Sequence, residues 1–180
     1  MKNFKEILIS ALALCVIAAC VTGALAGTNA LTSGIIAART AEIENAARSE
    51  VITADAFEKK TQDDFTYYVA IKDGTEVGFV FTTVGTGKSS GLTVMVGISN
   101  VGNITGVKIT ADNETAGYTD KVEKGGLLDS FKGKPAKPMV LGTDVDAVSQ
   151  ATKTSKGVIG AVNQAIEQFE AIGGARKYGE

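Results

Sequence analysis

The chain has 180 residues, with 18 Lys and Arg against 20 Asp and Glu and a formal net charge of −2. With no basic cluster and no basic balance, it does not read as a nucleic-acid-binding protein. It has no His and only two Cys, Cys15 and Cys20, which removes the commonest general base, the Ser-His-Asp triad and most zinc and haem ligand sets. Residues 7–27 are uncharged and apolar, and as a helix rising 1.5 Å per residue they would span about 32 Å, enough to cross a bilayer once. Lys2 and Lys5 precede this stretch and the next basic residue is Arg39, an asymmetry that predicts a cytoplasmic N-terminus and an extracytoplasmic remainder. Two other readings stay open, because Ala24-Leu25-Ala26 has the form of a signal-peptidase site and Ile17-Ala18-Ala19-Cys20 that of a lipoprotein box. An uncleaved anchor is favoured, since the chain stays apolar well past Cys20. Both cysteines lie in this stretch, so the exported part has no thiol for a disulfide or an iron–sulfur cluster. They read as small apolar side chains, or as ligands of a cluster shared with another chain.

About 150 residues follow, a length typical of one domain with its own core. Residues 28–60 are rich in Ala, Glu and Arg, with Ile35, Ile36, Ile43, Ala47 and Val51 at helical spacing, and predict a helical stalk. From residue 61 the pattern changes to strands, at 65–71, 77–84, 92–98 and 104–110. Asp73-Gly74 marks a hairpin turn, and Asn100-Val101-Gly102-Asn103 joins a second pair. Short turns between four strands predict an antiparallel sheet. Gly85, Gly87 and Lys88 superficially suggest a phosphate loop, but that loop must lead into a helix, and here a strand follows. The expected divisions are an anchor at 1–27, a stalk at 28–60 and an extracytoplasmic domain at 61–180, in an α+β fold with helices flanking the sheet.

The last element is the one that points to a specific chemistry. Asp146-Ala147-Val148-Ser149-Gln150-Ala151-Thr152-Lys153-Thr154-Ser155 is a hydroxyl-rich loop, and after it Val158, Ile159, Val162, Ile166 and Phe169 recur at helical spacing. Thr154 or Ser155 is the natural N-cap, and Gly173-Gly174 the natural stop. The first turn of such a helix presents unpaired N–H donors and the positive end of the backbone dipole, a setting that stabilises a bound anion such as phosphate. No acid, base and nucleophile combine into a hydrolytic site anywhere in the chain.

This segment closely resembles the flavinylation motif Asp-x-x-Ser-Gly-Ala-Thr-x-Thr-Ser of the flavin mononucleotide (FMN)-binding domain family. That family includes the G subunits of Rnf-type ferredoxin:NAD oxidoreductases and the C subunits of sodium-pumping NADH:quinone oxidoreductases. Gln150 stands where the family has Gly. Further resemblances follow in the family's order: Gly78-Phe79-Val80-Phe81, Val96-Gly97-Ile98-Ser99, Gly102-Asn103-Ile104-Thr105-Gly106, Asn113-Glu114-Thr115-Ala116-Gly117, Lys121, and Leu127 to Lys134. Ala116 replaces the usual Pro, and Tyr118-Thr119 the usual Leu-Gly. The resemblance implies FMN bound through a phosphodiester to Thr152, installed by a separate flavin transferase. It places Ser149, Ala151, Lys153, Thr154 and Ser155 about the phosphate and Glu114, Thr115, Gly117, Tyr118 and Lys121 near the flavin. Gly117 reads as a backbone-conformation position, and Tyr118 as either a stacking partner or core filling. Asp146 reads as a transferase contact or a loop-stabilising residue. The implied function is that of an electron-carrying G-type subunit of an Rnf-type complex, with other membrane and iron–sulfur subunits as partners and ion translocation as a property of the complex. A stand-alone flavinylated carrier, the equivalent quinone-reductase subunit and a flavin-free extracytoplasmic binding lipoprotein are the alternatives.

Overall fold

The computed structural model describes residues 2–88, 90–111 and 117–174. The chain divides into two units, Met1–Glu44 and Asn45–Glu180, and helix α1 (Lys2–Val51) contributes to both. In the first unit, Ala11–Gly34 is the one stretch among the described residues long and apolar enough to cross a membrane, and none of it is buried. Its large apolar side chains, including Leu12, Leu14, Val16, Ile17, Val21 and Leu25, are exposed, the pattern of a helix whose solvent is lipid.

The second unit is built on a five-stranded antiparallel sheet in the order β1-β2-β3-β4-β5: Ala56–Gln62, Phe65–Lys72, Thr75–Thr86, Ser90–Ser99 and Ile104–Ala111. Four of these strands are the predicted ones. The fifth, β1, corrects the expected stalk, because α1 stops at Val51 and residues expected to be helical as far as Lys60 pair with β2 instead. The cause lies at the junction. Val51 and Ile52 are buried with Ala47 against Ala70, Val80 and Met95, Asp55 N–H donates to the Ile71 carbonyl (2.8 Å), and the Asp55 carboxylate accepts from Asp73 N–H (2.9 Å). These contacts turn the chain alongside β2. The β2–β3 turn has φ 51° at Asp73 and 73° at Gly74, the doubly positive pattern of a two-residue turn matched to strand twist.

The two sheet faces carry different helices, as period-two alternation requires. Phe79, Phe81, Val94, Val96 and Ile98 point to one face and pack with Val158, Val162, Ile166 and Phe169 of α4 (Thr152–Ala171). The Phe81 and Phe169 rings meet edge-on with centroids 6.4 Å apart. Val80 and Met95 point to the other face, beneath Ala47 and Val51 of α1. There the α1 backbone comes so close that a Cβ on Gly97 would lie 2.6 Å from the Val51 carbonyl oxygen, and one on Gly106 2.9 Å from Val51 Cα. The Thr105 hydroxyl closes that contact by donating to the Val51 carbonyl (2.6 Å). Short helices α2 (Tyr118–Lys124) and α3 (Leu127–Ser130) bury Val122 and Leu127.

Helix α4 is seated in the same manner. A Cβ on Gly85 would collide with the Gly157 carbonyl, and one on Gly157 would lie 2.9 Å from Gly87 N. The buried Thr83 hydroxyl adds a hydrogen bond to the Ala161 carbonyl (2.8 Å). Gly160, on the exposed side of α4, has nothing within 4 Å of a Cβ. The two helical glycines therefore predict opposite effects on the stability of the detergent-solubilised chain, followed by denaturant unfolding. Gly160→Ala should stabilise by about 0.5–1 kcal/mol, the helix-propensity gain alone. Gly157→Ala should destabilise by about 1–3 kcal/mol, because forced overpacking outweighs that gain.

Candidate functional site

The loop leading into α4 is held from below by side chains of the helix. Asn163 reaches back to Met139, accepting from its N–H and donating to its carbonyl, both at 2.9 Å. Ser155 is fully buried; its hydroxyl donates to the Ala151 carbonyl (3.0 Å) and accepts from Val148 N–H (3.2 Å). Ser155 is thus committed to main-chain partners within the loop. The expected cap is corrected here: α4 starts at Thr152 with Ala151 at the N-cap, and no side chain caps it. Starting three or four residues earlier than those caps would require puts Thr154 and Ser155 inside the first turn, where both are buried. The predicted stop holds, with Gly173 at φ 76° and its N–H bonded to the Glu170 carbonyl (2.9 Å).

An uncapped helix start leaves its first N–H groups directed outward, at the positive end of a 20-residue helix. Over this end lies a cleft of about 280 Å³ lined by Lys88, Tyr118, Gln150, Ala151, Thr152, Lys153 and Thr154. Thr152 is exposed as the first residue of α4, and its hydroxyl has no hydrogen bond to a described residue. Gln150 has φ 64°, a left-handed conformation that favours Gly and costs a residue with a Cβ about 1–2 kcal/mol. The family's glycine at this position therefore has a backbone reason. In this chain the Gln150 side chain accepts from Lys121 Nζ (3.0 Å), tying the loop to α2.

The structure brings together most of the residues expected from the sequence, with distinct placements. Ala151, Thr152, Lys153, Thr154 and Tyr118 line the cleft, Lys121 reaches it through Gln150, and Ser155 lies beneath it. Ser149 is exposed outside the lining. Gly117 stands before α2 at φ 85°, the left-handed position that the backbone reading anticipated. Glu114 and Thr115 lie outside the described residues. Lys88 was missed as a site residue, and it enters from the turn after β3. Its ammonium donates to the Tyr118 phenol oxygen at 3.0 Å and lies 4.3 Å from the ring centroid. The Lys88 hydrogen bond and charge, with a smaller contribution from Lys121, hold the Tyr118 phenol below the usual tyrosine range. The signal in the sequence was the Gly85–Lys88 string itself, whose glycines let α4 approach while its lysine faces the α4 N-terminus.

These features fit FMN on physical grounds. Among the described residues the lining carries two lysines and no carboxylate, beside a helix N-terminus suited to phosphate. An aromatic ring beside them offers apolar cover for a flat heterocycle.

Comparison with known proteins agrees. Residues 87–167 match the family described as FMN-binding domain, and residues 1–51 the family described as RnfG N-terminal region. The chain is 33% identical to the G subunit of the Na(+)-translocating ferredoxin:NAD(+) oxidoreductase complex of Acetobacterium woodii, over 94% of this chain and 95% of that one. It is 27% identical to the G subunit of the proton-translocating ferredoxin:NAD(+) oxidoreductase complex of Clostridium ljungdahlii, over 81% and 82%. It is 28% identical to the G subunit of the ion-translocating oxidoreductase complex of Erwinia tasmaniensis, over 89% of each. The crystal structure of Shewanella oneidensis NqrC is similar at a TM-score of 0.48 and 25% identity, over 67% of this chain and 72% of that chain. With relatives matched across nearly its whole length, the chain belongs to the family of G subunits of ion-translocating ferredoxin:NAD(+) oxidoreductase complexes, and its cofactor is FMN.

Proposed function

We propose that this chain is the electron-carrying subunit of an Rnf-type membrane complex, holding FMN by a phosphodiester bond to Thr152. The observation that carries the reading is the placement of Thr152: an exposed hydroxyl on the first turn of α4, inside a cleft whose described lining residues include two lysines and no carboxylate. Attachment is a phosphoryl transfer without redox change. Oγ1 of Thr152 forms a new P–O bond to the flavin-side phosphorus of a phosphoanhydride donor. The anhydride bond breaks, the other phosphate departs, and the hydroxyl proton is lost to the transferase or to solvent. A separate flavin transferase catalyses the step: the chain has no His, and among the described residues the cleft lining offers no carboxylate to act as base.

Around the attached group, the N–H groups of the first turn and the Lys153 ammonium offset the phosphodiester charge. Thr154 packs under the tether, and Tyr118 covers the ring. Ser149, Glu114 and Thr115 belong to the same region of the chain and are assigned supporting contacts. Asp146 serves the transferase or the loop. When bound, FMN supplies the reversible redox chemistry, and the protein supplies orientation and electrostatics. Covalent attachment keeps the carrier in place on the extracytoplasmic side, which the lysines preceding the span assign to the domain. Iron–sulfur and membrane subunits of the complex are its redox partners, and ion coupling resides in the assembly.

Two outcomes are expected. Co-expressed with a flavin transferase and denatured, the wild-type chain gains the mass of FMN and fluoresces in a gel, whereas Thr152→Ala gains neither; retention of flavin by Thr152→Ala would sink the assignment. Gln150→Gly, which relieves the left-handed strain and loses an exposed hydrogen bond, should keep flavin loading at least at the wild-type level. It should also raise unfolding free energy by up to about 1 kcal/mol, and a fall in either quantity would show that the Lys121 tie outweighs the strain.

A further inference from the structure

Lys88 reaches the cleft because of backbone packing elsewhere. The preceding Gly87 abuts Gly157 of α4, so the turn after β3 is registered against the helix whose first residue is Thr152. From that turn the Lys88 ammonium contacts the Tyr118 hydroxyl at 3.0 Å and lies 4.3 Å from the centre of its ring. Lys121, from α2 itself, has its ammonium 5.4 Å from the same ring centre while donating to Gln150. Tyr118 is the first residue of a seven-residue helix and is only half-buried. Its ring packs against the main core, but for a half-exposed side chain that packing alone does not fix the hydroxyl tip. A charge-assisted hydrogen bond at the tip of the side chain does so, and the cation near the ring face adds to it.

We propose that Lys88 is a positioning residue of the flavin site: its hydrogen bond to the Tyr118 phenol holds that ring as the wall against which the tethered isoalloxazine lies. The inference rests on FMN attachment at Thr152 and goes beyond it by naming what orients the ring after attachment. Tyr118 touches the flavin, and Lys88 acts through Tyr118. Stacking against a fixed tyrosine quenches flavin emission and restrains the ring, so the geometry has a spectroscopic signature that stability alone does not move.

The test uses the full chain loaded by a flavin transferase, as wild type, Lys88→Met, Lys88→Arg, Tyr118→Leu and the Lys88→Met/Tyr118→Leu double variant. Intact mass reports loading, and flavin fluorescence yield and anisotropy report the ring. Lys88→Met should be loaded, yet brighter by about twofold or more and lower in anisotropy, the change in stacked population that the weaker end of an aromatic-pair interaction gives. Lys88→Arg keeps the donor and should stay as dim as wild type, and the double variant should match Tyr118→Leu alone, because both changes remove one coupled interaction. A loaded Lys88→Met with wild-type yield and anisotropy overturns the inference. So does a double variant in which the two effects add. An unloaded wild type overturns the attachment itself, and the inference with it.

Discussion

Helix α4 rests on strand β3 through backbone, at Gly85 and Gly157. Side chains at either position would hold the helix off the sheet, and much of the domain depends on its lying flat there. The approach lets Phe169, Ile166, Val162 and Val158 reach the sheet face that Phe79, Phe81, Val94 and Val96 present, and it lets the Thr83 hydroxyl reach a helix carbonyl. It also sets the start of α4 beside the Gly87–Lys88 turn. A structural constraint thus becomes a functional one, since the same contact that closes the core fixes where Thr152, Lys153 and Lys88 lie relative to one another.

The opposite face follows the same logic. Gly97 and Gly106 clear a seat for the backbone of Val51, with Thr105 closing it by a hydrogen bond to the Val51 carbonyl. The sheet is a slab with a glycine-lined bed on each side. One bed takes the helix that starts at the cleft and the other takes the end of α1. In both places the missing Cβ atoms exchange side-chain packing for close main-chain approach, with a threonine hydroxyl nearby supplying the polar partner. The resulting seats are intolerant of any larger residue, which is why glycine at these positions carries more information than its count in the chain.

Much of this was legible in the residues. Four strands, the Asp73-Gly74 turn, the α4 periodicity and its Gly173 stop follow from period, turn chemistry and helix-end rules. The segment that forms the cleft was legible through its resemblance, which singled out Thr152, the exposed first residue of α4. Strand β1 was not, because Ala56–Gln62 lacks alternation and is an edge strand whose pairing comes from β2. The cap was misplaced because Thr154 and Ser155 are good cap residues locally, whereas the core required them buried beneath the loop. Lys88 escaped notice because its glycine neighbours imitate a phosphate loop. Their actual work is helix seating, which appears only when sheet and helix are placed together. Gln150 was visible as a departure from a glycine pattern, but the reason that pattern favours glycine, a φ of 64°, lies in the backbone.

The cleft at the head of α4 therefore combines an exposed threonine hydroxyl, a lysine and main-chain N–H groups from the first turn of the helix with Lys88 from the turn after β3 and Tyr118 from α2, and the glycine contacts register the first two of these elements against each other. The most direct check of the central claim is site localisation. In the transferase-matured protein, fragmentation of the tryptic peptide ending at Lys153 should place the FMN mass on Thr152, with Thr143 and Ser149 of the same peptide unmodified. FMN located on either of those residues, or on another segment, would contradict the account.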